Sequence, residues 1–268
     1  MRWEIVAQTN VGKVRKKNED AHLILKAIPL MLVADGMGGM YAGEVASGKI
    51  VERLATLTDR KDGVDLEAAT TRALQRAHQE ILSYSHDKLE GGRAGSTVVV
   101  LALEGSAGFC LWVGDSRLYR VRENEIAQLT SDHSQVNEML KQGIITEDQA
   151  KAASYRNVLT HAVGVQEDFY WDRIDIDSKP GDTYLLCSDG LYNEIDDHEL
   201  QQILSGNDIY RISVQLANLC LRRGARDNFT FVICRSTDPV VTQSHSDATE
   251  ISDSDTEYTQ MQGQDGVS

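Results

Sequence analysis

The sequence predicts an α+β domain in which antiparallel sheets are layered against helices. Apolar runs of strand length outnumber the amphipathic helical stretches. Several of those runs follow one another with no helix between them, which favours antiparallel pairing over alternating βαβ units. Aspartates stand beside glycine at the ends of several runs, where side chains from neighbouring strands converge. With 268 residues, 41% of them hydrophobic and 25% charged, the chain suits one large soluble domain or two small ones.

The elements follow in order. Residues 3–10 alternate as a strand, and 11–20 form a polar loop with charges of both signs. Residues 21–25 and 30–34 are strands. The second is apolar throughout, reads as buried on both faces, and runs into Asp35-Gly36-Met37-Gly38-Gly39. Glycines there permit a tight turn and a close approach. Apolar residues from Val45 to Leu57, and again from Leu66 to Leu82, recur at helical spacing and mark two core-facing helices. Residues 91–95 interrupt the pattern before strands at 96–103 and 109–113, the latter ending in Gly114-Asp115-Ser116-Arg117. Residues 118–121 and 126–129 make a hairpin around Glu123-Asn124, and residues 130–134 open a helix carrying Val136, Met139 and Leu140. The stretch 143–166 has little periodicity and is expected to be a mobile insertion over the core. A strand at 170–176, a turn at Lys179-Pro180-Gly181-Asp182 and a buried strand at 183–187 lead into Ser188-Asp189-Gly190. Helices near 197–204 and 208–222, then Arg226-Asp227-Asn228, precede a last strand at 229–234. Residues 1–235 therefore read as the folded domain. Residues 236–268, rich in Ser, Thr, Gln and Asp with one aromatic, read as a disordered tail that cannot bury enough apolar surface to order itself.

The net charge is −14, and half of it lies beyond Arg235, where seven acids stand with no Lys or Arg. Such acidity argues against nonspecific nucleic-acid binding. The four cysteines are scattered among apolar neighbours with no Cys-x-x-Cys pair, and read as buried free thiols of a reducing compartment. Met1-Arg2-Trp3-Glu4 lacks the apolar core of a signal peptide and no segment has the length and apolarity of a membrane span, so a cytoplasmic monomer is expected.

Asp35, Asp115 and Asp189 each follow an apolar run, Asp227 precedes one, and Glu19-Asp20 adds an acidic pair. An acid so placed must be paired, hydrogen-bonded or on a metal. Any one of them alone is as well explained as a turn or a helix cap. Several together repel one another unless cations sit between them, and an all-oxygen set favours Mg²⁺ or Mn²⁺ over zinc.

The motifs occur in a fixed order: Val-Arg-Lys-Lys-Asn-Glu-Asp at 14–20, Asp-Gly-Met-Gly-Gly at 35–39, Gly-Ser-Thr at 95–97, Gly-Asp-Ser-Arg at 114–117, Ser-Asp-Gly-Leu at 188–191 and Asp-Asn-Phe-Thr at 227–230. Together, over about residues 3–235, they resemble the metal-dependent protein phosphatases of the 2C type in their bacterial form. The resemblance implies a central β-sandwich of two antiparallel sheets flanked by helix pairs, a four-layer αββα fold with a flap at about 143–166. It implies hydrolysis of phosphoserine and phosphothreonine in proteins, opposing a cognate serine/threonine kinase in bacterial signalling. Two tightly bound Mn²⁺ or Mg²⁺ ions and a weaker third would serve it, the attacking hydroxide bridging the first two. By position, Asp35 would bridge those two ions and the Gly36 carbonyl would bind one. Asp189 and Asp227 would complete the second ion's shell, Glu19 and Asp20 would hold metal-bound waters, and Asp115 with Asp189 would hold the third ion. Arg15 would grip two phosphate oxygens at once.

One departure is notable. Some relatives carry a histidine in or just after the Asp-Gly motif, proposed as the acid for the leaving oxygen. Met37 and Met40 stand there in this chain, and a thioether donates no proton. His22 and His133 lie near the motifs but read as structural, which leaves a water held near Asp115 as the expected proton source. A catalytically weak phosphoprotein- or metal-binding regulator on the same fold is the alternative. The missing histidine favours it, and the full acidic set with Arg15 opposes it.

Overall fold

The structure, a computed structural model, describes residues 1–37, 42–59, 64–153, 155 and 158–237. Gly38, Gly39 and Met40 of the Asp-Gly motif, and residues 238–268 of the expected tail, lie outside the described residues.

Among the described residues, eleven strands form two sheets, antiparallel throughout. The first runs β1 (Arg2–Asn10), β11 (Phe229–Thr237), β10 (Thr183–Cys187), β7 (Arg117–Arg122) and β8 (Glu125–Gln128). The second runs β2 (Asp20–Leu25), β3 (Leu30–Met37), β5 (Val98–Glu104), β6 (Ala107–Val113) and β9 (Asp172–Asp177), with the two-residue β4 (Gly95–Ser96) beside the end of β3.

The period-2 alternation of a strand sorts its side chains between two cores. Leu30, Leu32 and Ala34 of β3 and Val98, Val100 and Ala102 of β5 pack under α1 (Ala42–Ala55) and α2 (Leu66–Lys88). Met31, Val33, Val99 and Leu101 point the other way and meet Tyr184, Leu186, Val232 and Cys234 of the first sheet. Leu185, Phe229, Phe231 and Ile233 on that sheet's outer face pack under α6 (Asp197–Leu204) and α7 (Ile209–Arg223). The result is the expected αββα sandwich. Central strands are buried on both faces, which is why they read as unbroken apolar runs, and each large side chain fully buried there contributes about 1.5–3 kcal/mol. Asp65 caps α2, Asp208 caps α7, and Asp196 with Glu199 forms a capping box on α6.

Three local expectations change. Residues 96–103 are not one strand, because the pairing breaks at Thr97. β11 continues to Thr237, two residues past the expected boundary, since Arg2 and Trp3 of β1 pair with Thr237 and Ser236. The stretch 143–166 is not uniformly an insertion over the core. It holds α4 (Glu147–Ala152), begun by a Thr146–Gln149 capping box. Its far end is sewn in, with Val163 bridged to Ser96 and fully buried, and the Gly164 N–H donating to His78 Nδ1 at 3.0 Å. The helix α3 (Gln135–Lys141) begins as expected, capped by Ser134.

All four cysteines are buried and unbonded. Burial pushes their thiols up, Cys220 to about 12, so none is a ready nucleophile. No described helix is long and apolar enough to cross a membrane.

Candidate metal and phosphate site

The acidic motifs gather at one end of the sandwich. Asp35 lies within β3 rather than in a loop after it, directly opposite Asp20 in β2. Its backbone is clamped from both sides. The Asp35 N–H donates to Thr97 Oγ1 at 3.1 Å, and its carbonyl accepts from the Thr97 N–H at 2.9 Å and from Ser96 Oγ at 3.0 Å. Thr97 is tied in turn to Ser116 by a hydroxyl pair at 2.6 Å. The Gly-Ser-Thr and Gly-Asp-Ser motifs thus hold the aspartate that the sequence singles out. Gly36 serves the same end, because α1 packs its first turn onto the strand there. A Cβ on Gly36 would stand 2.1 Å from the Gly43 carbonyl oxygen, which leaves no room for a side chain.

The first sheet supplies the facing carboxylates. Asp189 opens the one-turn helix α5 (Asp189–Tyr192) directly after β10, and Asp227 precedes β11. Ser188 Oγ donates to Asp20 Oδ2 at 2.8 Å, which links the two sheets at the site. Asn193 Nδ2 donates to Asp189 Oδ2 at 3.1 Å. Asp115 sits in the turn after β6, 7% exposed, and Tyr192 Oη donates to its carbonyl at 3.1 Å.

Burial and mutual repulsion raise the acids together. Burial first, and then the charges of Asp20, Asp189, Asp115 and Asp227, hold the Asp35 carboxyl well above the usual carboxylate range. Burial pushes Asp20 to about 7 despite the Ser188 hydrogen bond, Asp115 to about 8 and Asp189 to about 6. A side-chain hydrogen bond with Asp35 works against the rise at Asp189. Such a group of oxygen donors, each resisting ionisation because of the others, is what hard divalent cations stabilise. In donor chemistry the residues fit Mg²⁺ or Mn²⁺. Among the described residues no three of these side chains already surround one point as a finished ligand set. Asp20, Asp35, Asp189 and Asp227 are each engaged with a protein partner.

Arg15 is one of those partners. Its Nε and Nη2 donate to Asp227 Oδ1 and Oδ2 at 2.8 and 2.6 Å. The motifs assign these two residues to phosphate and metal separately, and the structure brings them into one bidentate pair. The loop carrying Arg15, Glu19 and the start of β2 is fastened by Asn228. Its side-chain oxygen accepts from the Glu19 N–H at 2.9 Å, and its amide donates to the Val11 and Lys17 carbonyls at 2.9 and 2.8 Å. Asn228 is 5% exposed. Sequence reasoning misses it as the mere neighbour of Asp227, although a buried amide beside a metal-type aspartate is a recognisable signal.

Neither candidate histidine reaches the cluster as an acid. The Gly114 N–H donates to His133 Nδ1 at 3.1 Å, so the ring proton sits on Nε2, a loose 3.4 Å from Asp172. His22 lies opposite Val33 on the β2 face that carries Ile24 toward the inter-sheet core, and burial lowers its pKa.

Known proteins share this arrangement. The family model described as protein phosphatase 2C matches residues 12–218. The serine/threonine phosphatase Stp of Listeria monocytogenes is 31% identical over 237 residues, covering 84% of this chain and 93% of its own. Among solved structures, PppA, a key regulatory component of T6SS in Pseudomonas aeruginosa, is 37% identical with a TM-score of 0.78, covering 88% of this chain and 98% of its own. The catalytic domain of the serine/threonine protein phosphatase PstP, solved in complex with two manganese ions, is 30% identical with a TM-score of 0.80, covering 88% and 99%. By fold, motif order and these matches, the chain belongs to the protein phosphatase 2C family.

Proposed function

We propose that this chain is a Mn²⁺- or Mg²⁺-dependent phosphatase that hydrolyses phosphoserine and phosphothreonine in proteins, opposing a serine/threonine kinase in a cytoplasmic signalling pathway and acting as a monomer. The observation that carries this reading is the convergence of Asp20, Asp35, Asp115, Asp189 and Asp227 from both sheets beside a bidentate arginine. When bound, divalent cations supply Lewis acidity, which activates the attacking water and offsets phosphate charge. Asp35 and the Gly36 carbonyl, with Asp189 and Asp227, would hold the tightly bound pair. Glu19 and Asp20 would orient their waters, and Asp115 with Asp189 would hold a weaker third ion.

The chain's own residues account for the rest. Arg15 presents to a phosphate the same two N–H groups it offers Asp227, and so fixes the line of displacement and stabilises the spreading charge. Ser96 and Thr97 hold the Asp35 backbone still, and Asn228 holds the Arg15 loop. With methionine at positions 37 and 40, Asp115 would orient the proton source for the leaving oxygen. The buried, unbonded thiols fit a reducing compartment. Likeness to a regulatory component supports a signalling role.

The test is turnover of p-nitrophenyl phosphate and of a phosphothreonine peptide with Mn²⁺, with chelator, and by Asp35→Asn. The expected outcome is activity with Mn²⁺ alone, abolished by either perturbation. Turnover by Asp35→Asn near the wild-type rate at saturating Mn²⁺ would remove Asp35 from the machinery. Manganese and phosphopeptide binding with no turnover would instead favour the regulator.

A further inference from the structure

Beside the acidic cluster a groove of about 740 Å³ opens between the α3–α4 segment and the start of α6. Its floor is apolar, made by Val136, Leu140 and Ala150, of which Val136 and Ala150 are buried. Its inner end is Asp115, whose carboxylate lines the groove and takes no hydrogen bond from another described side chain. Its outer rim carries Glu147 on α4 and Asp197 on α6, both exposed. The arginine in its wall, Arg117, is already committed. It binds Asp132 through Nε at 3.0 Å and Nη2 at 2.7 Å, and its guanidinium lies 3.7 Å from the centre of the Tyr192 ring. Asp196, also in the wall, is the cap of α6. The carboxylates at that helix start deny it to an anion, and the groove as a whole is negative.

We propose that this groove is a subsite for the polypeptide flanking the phosphorylated residue, and that it selects segments carrying Lys or Arg. The proposal rests on the phosphatase reading, because continuity with the catalytic end of the sandwich at Asp115 is what makes the groove's occupant a substrate. An extended peptide whose phosphate meets Arg15 can lay one flank in this apolar trough, which Asp115 also lines. Side chains of moderate size fill the floor over Val136 and Ala150, and a basic side chain reaches Glu147 and Asp197 at the rim. The charge sign separates recognition into two zones: cations around Arg15, Lys13 and Lys16 for the phosphate, and acids in the groove for its neighbours. A substrate with acidic residues beside the phosphate meets like charge in the groove and is disfavoured.

The experiment uses the full chain with Mn²⁺ and three phosphothreonine peptides of equal length that differ only in flanking Arg, Ala or Glu. p-Nitrophenyl phosphate, which has no flanks, is the control. kcat/KM is expected to fall in the order Arg, Ala, Glu, by about three- to ten-fold per step, the size that two partly exposed ion pairs support. The spread should narrow in high salt. The double variant Glu147→Gln, Asp197→Asn should keep wild-type turnover of p-nitrophenyl phosphate and lose the preference, and Glu147→Arg should reverse it. Equal kcat/KM on the three peptides, or a preference untouched by the double variant, would overturn the proposal. Fluorescence anisotropy of labelled forms of the same peptides is measured in parallel. If no substrate is turned over, the phosphatase reading fails, and unequal anisotropy affinities lost in the double variant still support the groove, whereas equal ones overturn it.

Discussion

Replacing Asn228 tests how much of the site depends on a side chain that touches neither phosphate nor cation. Asn228→Ala removes an acceptor from the Glu19 N–H and a donor from each of the Val11 and Lys17 carbonyls. At roughly 1 kcal/mol net for each hydrogen bond, and more where a partner is left buried, the loss is about 2–4 kcal/mol. For a domain of this size each kcal/mol moves Tm by about 2–4 °C, so Tm should drop by about 5–15 °C. Asn228→Asp should be no better. A carboxylate still accepts from Glu19, but it faces two carbonyl oxygens it cannot donate to. Because Arg15 and Glu19 ride on this loop, both variants should raise KM for a phosphopeptide and weaken Mn²⁺ affinity, even at a temperature where they are folded. Differential scanning fluorimetry, calorimetric Mn²⁺ titration and peptide kinetics read the three effects. A Tm within about 2 °C of wild type would show that water replaces the amide at no cost. A lowered Tm with unchanged KM and metal affinity would show that the loop keeps its shape without it.

Arg15→Ala should lower kcat/KM on phosphopeptide strongly while moving Tm little. The Arg15–Asp227 pair is 55% and 38% exposed, and such pairs contribute about 1 kcal/mol at most. A Tm drop as large as that of Asn228→Ala would make the arginine structural. In chelator, melting temperature should fall as pH rises from about 5 to 8. Asp189, Asp20 and Asp115 have folded pKa values near 6, 7 and 8, above the unfolded carboxylate value, so their contribution is complete below that value and lost as pH climbs through the folded ones. Mn²⁺ at pH 8 should restore the loss, and a flat or rising profile in chelator would contradict the shifts. Gly190→Ala places a Cβ 1.9 Å from the Asn228 carbonyl oxygen, so it should destabilise the fold by more than about 3 kcal/mol, seen as loss of soluble protein or a collapsed Tm.

Two-sided burial makes much of the fold legible in the order of residues alone. Residues 30–34 and 184–187 are apolar without a break because helices cover one face and the other sheet covers the second. α4 is not legible in this way: it is six residues long, Ala150 is the one buried side chain among those described in it, and its capping box is its main local signal. The break at Thr97 is hidden because a β-branched residue inside an apolar run looks like strand, whereas its hydroxyl is used to hold Asp35. The acidic set is legible as a set, since each member stands near a strand end and Asp35, Asp115 and Asp189 stand beside glycine. Pairing is not: nothing in residues 14–20 or 226–228 states that Arg15 and Asp227, 212 positions apart, share two hydrogen bonds. Such contacts depend on β1 and β11 being neighbours, which is a property of the whole sheet.

Asp20 and Asp35 belong to one sheet of the sandwich, Asp189 and Asp227 flank strands of the other, and Asp115 lies in the turn that joins β6 of one to β7 of the other. A cation gripped by both groups fastens two separately hydrogen-bonded layers, so its affinity reports how those layers lie against each other. The packing between them is made by residues such as Met31, Val99, Leu101, Leu186 and Val232, none of which carries an oxygen donor for a hard cation. Trimming one of these side chains lets the layers slide or tilt by fractions of an ångström, and the error appears at the rim as a longer span between carboxylates. The sandwich interior is in this sense the caliper of the active end. Sequence drift confined to it can retune ion affinity and turnover while every residue that touches substrate stays the same.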